Sequence, residues 1–239
     1  MAFRLAPVLR MLGRGLRGLL LIALSLLLLY QLWLLGCVLV WKWVDPGMTR
    51  FMDIRLTELQ LKNPKAQLQQ QWVPYSKISA HLKRAIVVAE DARFVDHEGF
   101  DWDGIQRALE KNQKKGKWVA GGSTISQQLA KNLFLTPTRS FLRKGEEAVI
   151  TLMIEVLWDK RRILEVYLNV IEWGNGVFGA EAAARHYFGL PAGQLGPEQA
   201  AWLASMVPNP RFYDRHRDAP GLARKTEIIL ERMPSAELP

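Results

Sequence analysis

Two adjacent acids, Glu90 and Asp91, follow the apolar stretch AIVVA at 85–89. A carboxylate beside a buried helical face loses part of its water, and desolvation raises the pKa of a carboxyl group toward the range useful for proton transfer. The pair is therefore a candidate for acid–base chemistry. The alternative interpretation is a solvated acid in the last turn of a helix, paired with Arg93, and this segment taken alone favours that ordinary role.

A glycine-containing segment at 121–132, GGSTISQQLAKN, offers a site for an anion. Glycines let a backbone approach a ligand closely, and the free N–H groups at a helix start bind anions. Gln127 and Lys131 are four residues apart, so they share one helix face, and Lys131 can meet a phosphate as a point charge. An ordinary helix capped by Ser123 or Thr124, with Gln127 completing a capping box, explains the segment equally well.

A third acid, Glu147, lies four residues after Arg143 in the segment RKGEE. A simple pair of charges on a helix surface would explain this spacing. The helix continues, however, as AVITLMIEVLW, which is apolar on nearly all sides and is therefore predicted to be buried. Glu147 and Glu155 then share one face with Thr151, and buried acids need partners or serve a purpose.

The other polar segments have ordinary explanations. The segment KRRILEVYLN at 160–169 is predicted to be a basic turn and an amphipathic helix, in which Glu165 and Tyr167 are structural. A lysine run near Trp118 fits a solvated helix face or contact with anionic headgroups equally well. The single cysteine, Cys37, excludes an intrachain disulfide, and the four histidines are too far apart in sequence to suggest a zinc site.

Helical patterns dominate the chain from residue 76 onward, and few segments show a strand pattern, so the predicted fold class is mainly α. Residues 48–75 are polar and read as a linker or an early helix. The expected helices are 78–91 capped by Ser76, 102–115, 124–132, 143–158, one beginning at 163–169, 180–187 and 197–206.

An apolar stretch of 24 residues without a charge spans 18–41. A helix of this length crosses a hydrocarbon core of about 30 Å, whereas the apolar region of a signal peptide has only about 7–15 residues. We therefore predict a retained transmembrane helix. All four arginines of residues 1–41 precede the span and Lys42 alone follows closely, so the positive-inside rule keeps 1–17 cytoplasmic. The predicted divisions are 1–17, the span 18–41, a juxtamembrane segment 42–75 and a globular domain 76–239.

The composition bounds the partners. The chain of 239 residues is 49% hydrophobic, which excludes global disorder, and its net charge is +9. That charge fits phosphate groups, acidic lipid or nucleic acid, and does not choose among them. An enzyme exported across the membrane has no soluble energy carriers, so its substrate must bring its own activated bond.

Taken together and in order, five segments resemble glycosyltransferase family 51, the peptidoglycan glycosyltransferases. The first, EDARFVDHEGFD, fits the family's E-D-x-x-F-x-x-H-x-G signature, and RKGEE fits R-K-x-x-E with Glu147 as its acid. The resemblance covers roughly residues 75–215. The five segments are 90–101, 121–132, 143–147, 160–169 and 176–189.

The resemblance implies a lysozyme-like, mainly α domain with a small flexible subdomain near the membrane, preceded by one transmembrane helix. It implies lipid II as substrate, with β-1,4-linked glycan strands and undecaprenyl diphosphate as products, on the periplasmic side of a bacterial inner membrane. Because no penicillin-binding S-x-x-K or K-T-G segment follows, the monofunctional form is expected. The expected partners are lipid II, the growing glycan strand, the membrane and cell-wall or division proteins, without nucleic acid.

The resemblance also carries roles residue by residue. Glu90 takes the place of the catalytic base and Glu147 that of the second essential carboxylate, which orients cationic side chains or a metal. No cofactor is required, no metal ligand is assigned, and a divalent cation, Mg²⁺ or Mn²⁺, is compatible. The expected substrate-binding residues are Asp91, Ser123, Gln127, Lys131, Arg139 and Arg143.

Two alternatives remain at this level. A membrane-anchored, lysozyme-like hydrolase would also use two carboxylates, but it would direct a water molecule and has no diphosphate to bind. The cations around Lys131 count against it. A non-enzymatic scaffold of a cell-wall complex would not need Glu90.

Overall fold

The N-terminal unit, residues 1–44, is dominated by one long helix. The computed structural model describes residues 5–116, 121–138 and 140–239. Helix α1 runs over Leu5–Trp41, and its part Gly13–Trp41 is long and apolar enough to cross a bilayer, with a mean hydropathy of 2.3. This result agrees with an N-terminal membrane anchor.

The second unit, residues 45–239, is mainly α, as predicted. Helix α9 packs against α3 and α11, and α5 packs against α2, α6 and α7. Single 3-10 turns lie at 75–77, 192–194 and 233–235. The helices are α2 (Arg50–Gln60), α3 (Ala80–Glu90), α4 (Trp102–Lys115), α5 (Ile125–Phe134), α6 (Phe141–Leu157), α7 (Lys160–Val170), α8 (Ala180–Phe188), α9 (Pro197–Met206), α10 (Pro210–Arg215) and α11 (Pro220–Arg232).

A small sheet accompanies these helices. Its strands are β1 (Gln69–Gln70), β2 (Glu172–Gly174) and β3 (Val177–Phe178), in the order β1-β3-β2. Strand β3 pairs parallel to β1 and antiparallel to β2. Residues 42–75 thus contain both a helix and a strand, while the predicted domain boundaries stay predictions.

Local signals set several helix ends where the sequence predicted them. Helix α4 ends at Gly116, which has φ +61°, and α9 starts with a proline. The helix predicted from Ser76 starts later than expected, because Ser79 caps it by accepting a hydrogen bond from the His81 N–H at 3.2 Å.

The prediction that α6 is buried on nearly all sides is wrong. Its polar face and part of its apolar surface pack on the domain, but Leu142, Leu152 and Val156 are 88%, 52% and 81% exposed. The apolar pattern indicates which surface of the helix is unfavourable in contact with water. No described element of this unit covers that surface. Helix α6 therefore presents an open apolar face.

Candidate active site

Glu90 is the last residue of α3, at the point where that helix leaves the core. Its carboxylate accepts a hydrogen bond of 2.7 Å from the side-chain amide of Gln128 on α5. Burial raises the pKa of Glu90 above its ordinary value, and the Gln128 hydrogen bond and the Lys131 charge only partly oppose this. A carboxylate in these surroundings is suited to take up a proton.

Asp91 is buried and ties α3 to the start of α5. Its two oxygens lie 2.9 and 3.1 Å from Nε2 of His97, and one of them accepts the Ile125 N–H at 3.1 Å. Both oxygens are thus engaged within the protein. This arrangement favours a positioning role for Asp91, and the prediction that it binds substrate stays untested.

Gly99 explains how the first motif packs against the second motif and against the later part of α6. It has φ +88°, and a Cβ added there would lie 2.8 Å from the Thr151 side chain and 3.0 Å from that of Glu155. Only glycine fits such a backbone in so little space. Its carbonyl also accepts a hydrogen bond of 2.7 Å from the Thr124 hydroxyl.

The start of α5 carries the predicted capping box, which is confirmed. The Thr124 hydroxyl accepts the Gln127 N–H at 3.2 Å, and the Gln127 side chain accepts the Thr124 N–H at 3.1 Å. Thr124, and not Ser123, is therefore the cap. Ser123 lies just before it, where its hydroxyl is 3.5 Å from the Lys144 ammonium.

Glu147 is buried on the inner face of α6 and binds two cations. Its carboxylate accepts a hydrogen bond of 2.6 Å from Arg143, and it also pairs with Lys144. Thr151, one turn later, donates to the Glu147 carbonyl at 2.7 Å. The predicted buried face of Glu147, Thr151 and Glu155 is real, and Glu155 binds Ser126 and Lys160.

A cavity of about 480 Å³ brings most of the predicted substrate-binding residues together. Glu147 lines this cavity, whereas Glu90 lines two other cavities and is linked to this one by its hydrogen bond with Gln128. Burial lowers the pKa of Lys131, which lies close enough to Glu90 and Glu147 for both carboxylates to oppose that shift. Arg139 lies outside the described residues. The residues predicted for the site that line this cavity are Ser123, Gln127, Lys131, Arg143 and Glu147.

The sequence did not predict three side chains of this site. Lys144 pairs with Glu147 three residues away, a spacing that the RKGEE segment already contained. Gln128 is adjacent in sequence to Gln127, which the sequence predicted to bind substrate, but it lies on another face of the helix. Only its hydrogen bond to Glu90 indicates that it belongs to the site. Arg211 comes from α10 and lines the same cavity, and no local pattern predicts that approach.

The site combines a desolvated carboxylate, Glu90, with clustered cations in the cavity to which Gln128 links it. The carboxylate can deprotonate a hydroxyl, and Lys131, Arg143 and Lys144 can stabilise negative charge on a departing group. Among the described residues, no three histidine, cysteine or acidic side chains form a group that could hold a metal ion. The arrangement therefore suits displacement of an anionic leaving group by a hydroxyl.

Comparison with known proteins agrees with this chemistry. The model of the Transglycosylase family matches residues 57–234. A biosynthetic peptidoglycan transglycosylase of Dechloromonas aromatica (strain RCB) is 73% identical over 230 residues, covering 96% of this chain and 100% of that protein. A protein of the same name from Azoarcus sp. (strain BH72) is 64% identical, covering 96% of this chain and 97% of its own. The chain belongs to the transglycosylase family.

Proposed function

We propose that this protein polymerises lipid II into β-1,4-linked glycan strands, with Glu90 as the general base and the cations around Glu147 as the diphosphate site. The observation that carries the proposal is the link that Gln128 makes between Glu90 and the cavity of the cations. Gln128 binds Glu90 and lines the same cavity as Lys131, Arg143 and Glu147. The names of the relatives and the family match support the same activity.

The chemical step is an inverting displacement. Glu90 takes the proton of the 4-hydroxyl of the acceptor GlcNAc while that oxygen forms a bond to the anomeric carbon of the donor MurNAc. The bond between this carbon and the lipid diphosphate breaks, and the diphosphate leaves with the bonding electron pair. Attack opposite the leaving group converts the α-linked donor into a β-linkage. The substrate thus supplies its own activation.

The cations stabilise the charge that develops on the diphosphate. Lys131 and Arg143 face the cavity from α5 and α6, and charges fixed in position before the reaction stabilise the charge that develops in the transition state. We assign Glu147 the role of orienting Arg143 and Lys144. A divalent ion, Mg²⁺ or Mn²⁺, is compatible with this scheme and not required by it, because Glu147 already binds two cationic side chains.

The membrane supplies the substrate in this proposal. Helix α1 anchors the chain, the arginines before it favour a cytoplasmic N-terminus, and the catalytic unit then lies on the periplasmic side of the inner membrane. The open apolar face of α6, with Leu142 and Val156, is suited to contact the bilayer from which lipid II comes. Cell-wall or division proteins are the further partners that we expect.

Incubation of the full-length protein with labelled lipid II in detergent or vesicles tests the proposal. We expect a glycan polymer that muramidase digests, together with undecaprenyl diphosphate. Lipid II whose GlcNAc has an inverted 4-hydroxyl is the control: it keeps the donor's diphosphate bond but lacks the attacking hydroxyl of an acceptor, so on its own it should give no polymer. Cleavage of preformed glycan without polymer would instead identify a hydrolase, and folded protein that does neither would identify a scaffold.

A further inference from the structure

A chain of hydrogen bonds lies behind Glu90 and ends at a fully buried tyrosine. Tyr167, on α7, is 0% exposed, and its hydroxyl lies 3.0 Å from the side-chain oxygen of Gln128. The amide nitrogen of the same Gln128 donates to Glu90 at 2.7 Å. Three helices, α3, α5 and α7, thus contribute one side chain each to a single line of polar groups.

The direction of this chain follows from the protons available. A carboxylate is only an acceptor, so the Gln128 NH2 group must face an ionised Glu90. The amide oxygen then faces Tyr167, which has to donate its single hydroxyl proton. Burial raises the pKa of Tyr167 well above its ordinary value, so the phenol keeps that proton throughout the working pH range.

We propose that Tyr167 is a positioning residue for polymerisation, which holds Gln128 in the orientation that keeps Glu90 ionised and aimed at the acceptor. If the amide turned round, its oxygen would face the carboxylate, and Glu90 could then be accommodated only in its protonated form, which is not a base. The tyrosine donor selects against that arrangement. This inference rests on the proposed role of Glu90 as the general base.

Tyr167 acts through its neighbours, because a fully buried hydroxyl cannot touch a saccharide. Its removal should therefore change kcat and the acid side of the pH profile, and leave the KM for lipid II nearly unchanged. The charged groups that act on Glu90 are Lys131 from α5, Lys225 from α11 and the adjacent Asp91. A Tyr167→Phe substitution leaves all of them in place, so the change in profile reports the lost hydroxyl.

The test is the pH dependence of lipid II polymerisation by Tyr167→Phe. One hydrogen bond contributes about 0.5–1.5 kcal/mol, so we expect kcat to fall about 2–12-fold. The acid limb should move upward by up to about one pH unit, since one unit corresponds to about 1.4 kcal/mol. KM should stay within about twofold.

Tyr187→Phe is the matched control. Its hydroxyl also bonds within the protein, at 3.0 Å from both the Trp173 carbonyl and Asp214, but it has no contact with the Glu90 chain. We expect this variant to keep the wild-type pH profile. An unchanged profile in Tyr167→Phe, or the same shift in both variants, overturns the inference.

A second variant keeps the test decisive if Tyr167→Phe folds poorly. Gln128→Met removes the link on a part-exposed side chain, and it should shift the acid limb in the same direction. In that background Tyr167→Phe should add no further shift, as expected for residues that act in series. If Gln128→Met keeps the acid limb of the wild-type pH profile, the inference is overturned. Full activity of Glu90→Gln would instead refute the proposed base itself, so the two failures are distinguishable.

Discussion

Two acids that both act on Lys131 lie in opposite environments. Glu90, at the end of α3, accepts a hydrogen bond from a neutral amide, and burial raises its pKa. Glu147, on α6, is 3% exposed and binds the side chains of both Arg143 and Lys144. Both carboxylates are near Lys131, whereas their direct partners differ.

The difference assigns the chemistry. A carboxylate that is poorly hydrated and is bound directly by a neutral amide gains by taking up a proton, which is the task of a base. A carboxylate held between two cations instead fixes the positions of those cations. Neutralising the two acids in turn should therefore affect activity and stability in different ways.

The largest expected effect comes from Glu90→Gln, which keeps the shape and removes the base. We expect polymerisation of lipid II to fall about 10²–10⁴-fold, the usual contribution of a positioned general base. KM should change little, because the cation site is intact. The measurement is the initial rate with labelled lipid II.

Glu98→Gln is the matched control, since Glu98 is an exposed acid in the same motif. It should retain the wild-type rate. Glu90→Gln with a normal circular dichroism spectrum and more than a tenth of wild-type activity would refute the assignment of the base.

Glu147→Gln should have the second largest effect. Arg143 and Lys144 lose the charge that orients them, so we expect kcat/KM to fall about 10²-fold, comparable to the loss of one transition-state donor. Unlike Glu90→Gln, it should also destabilise the fold by about 1–3 kcal/mol, because hydrogen bonds to a buried charge are lost. Kinetics and thermal unfolding measure the two effects.

Glu146→Gln changes the neighbouring acid of the same helix and is the control for this comparison. Wild-type activity is expected there. An equal loss of activity in Glu146→Gln and Glu147→Gln would show that losing either negative charge from α6 has the same effect. The specific role assigned to Glu147 would then be refuted.

Features that depend on neighbouring residues were predictable from the sequence. The Thr124–Gln127 capping box and the end of α4 at Gly116 follow from contacts within a few residues. The contacts that build the site join residues far apart in sequence: Gln128 and Glu90 are separated by 38 positions, and Tyr167 and Gln128 by 39. No local pattern encodes such pairs, which is why Tyr167 was predicted to be only structural.

The exposed face of α6 shows a different limit. Apolar periodicity predicts that a surface avoids water, but it does not specify whether protein or lipid covers it. The sequence therefore predicted burial for Leu152 and Val156, which the structure leaves exposed. The family resemblance names residues of both α5 and α6, which the structure brings to one cavity, and periodicity alone does not pair such distant residues.

The smallest expected effect is on stability, and its sign separates the two acids most sharply. Burial raises the folded-state pKa of Glu90 above its unfolded value, so between these values the folded protein binds more protons. The stability that the neutral carboxyl contributes is fully present below the unfolded pKa and is lost as pH rises through the folded pKa. Glu90→Gln should thus raise the Tm at pH 8 by about 2–4 °C, which corresponds to about 1 kcal/mol.

At a pH below about 4, where the carboxyl is neutral in both states, the Tm difference between Glu90→Gln and the wild type should vanish. Glu147→Gln should lower the Tm at pH 8, because its charge is stabilised by Arg143 and Lys144. Thermal unfolding of the two variants beside the wild type at both pH values provides the comparison. A lower Tm for Glu90→Gln at pH 8 would mean that the fold stabilises the ionised carboxylate, and the contrast between the two acids would then lose its physical basis.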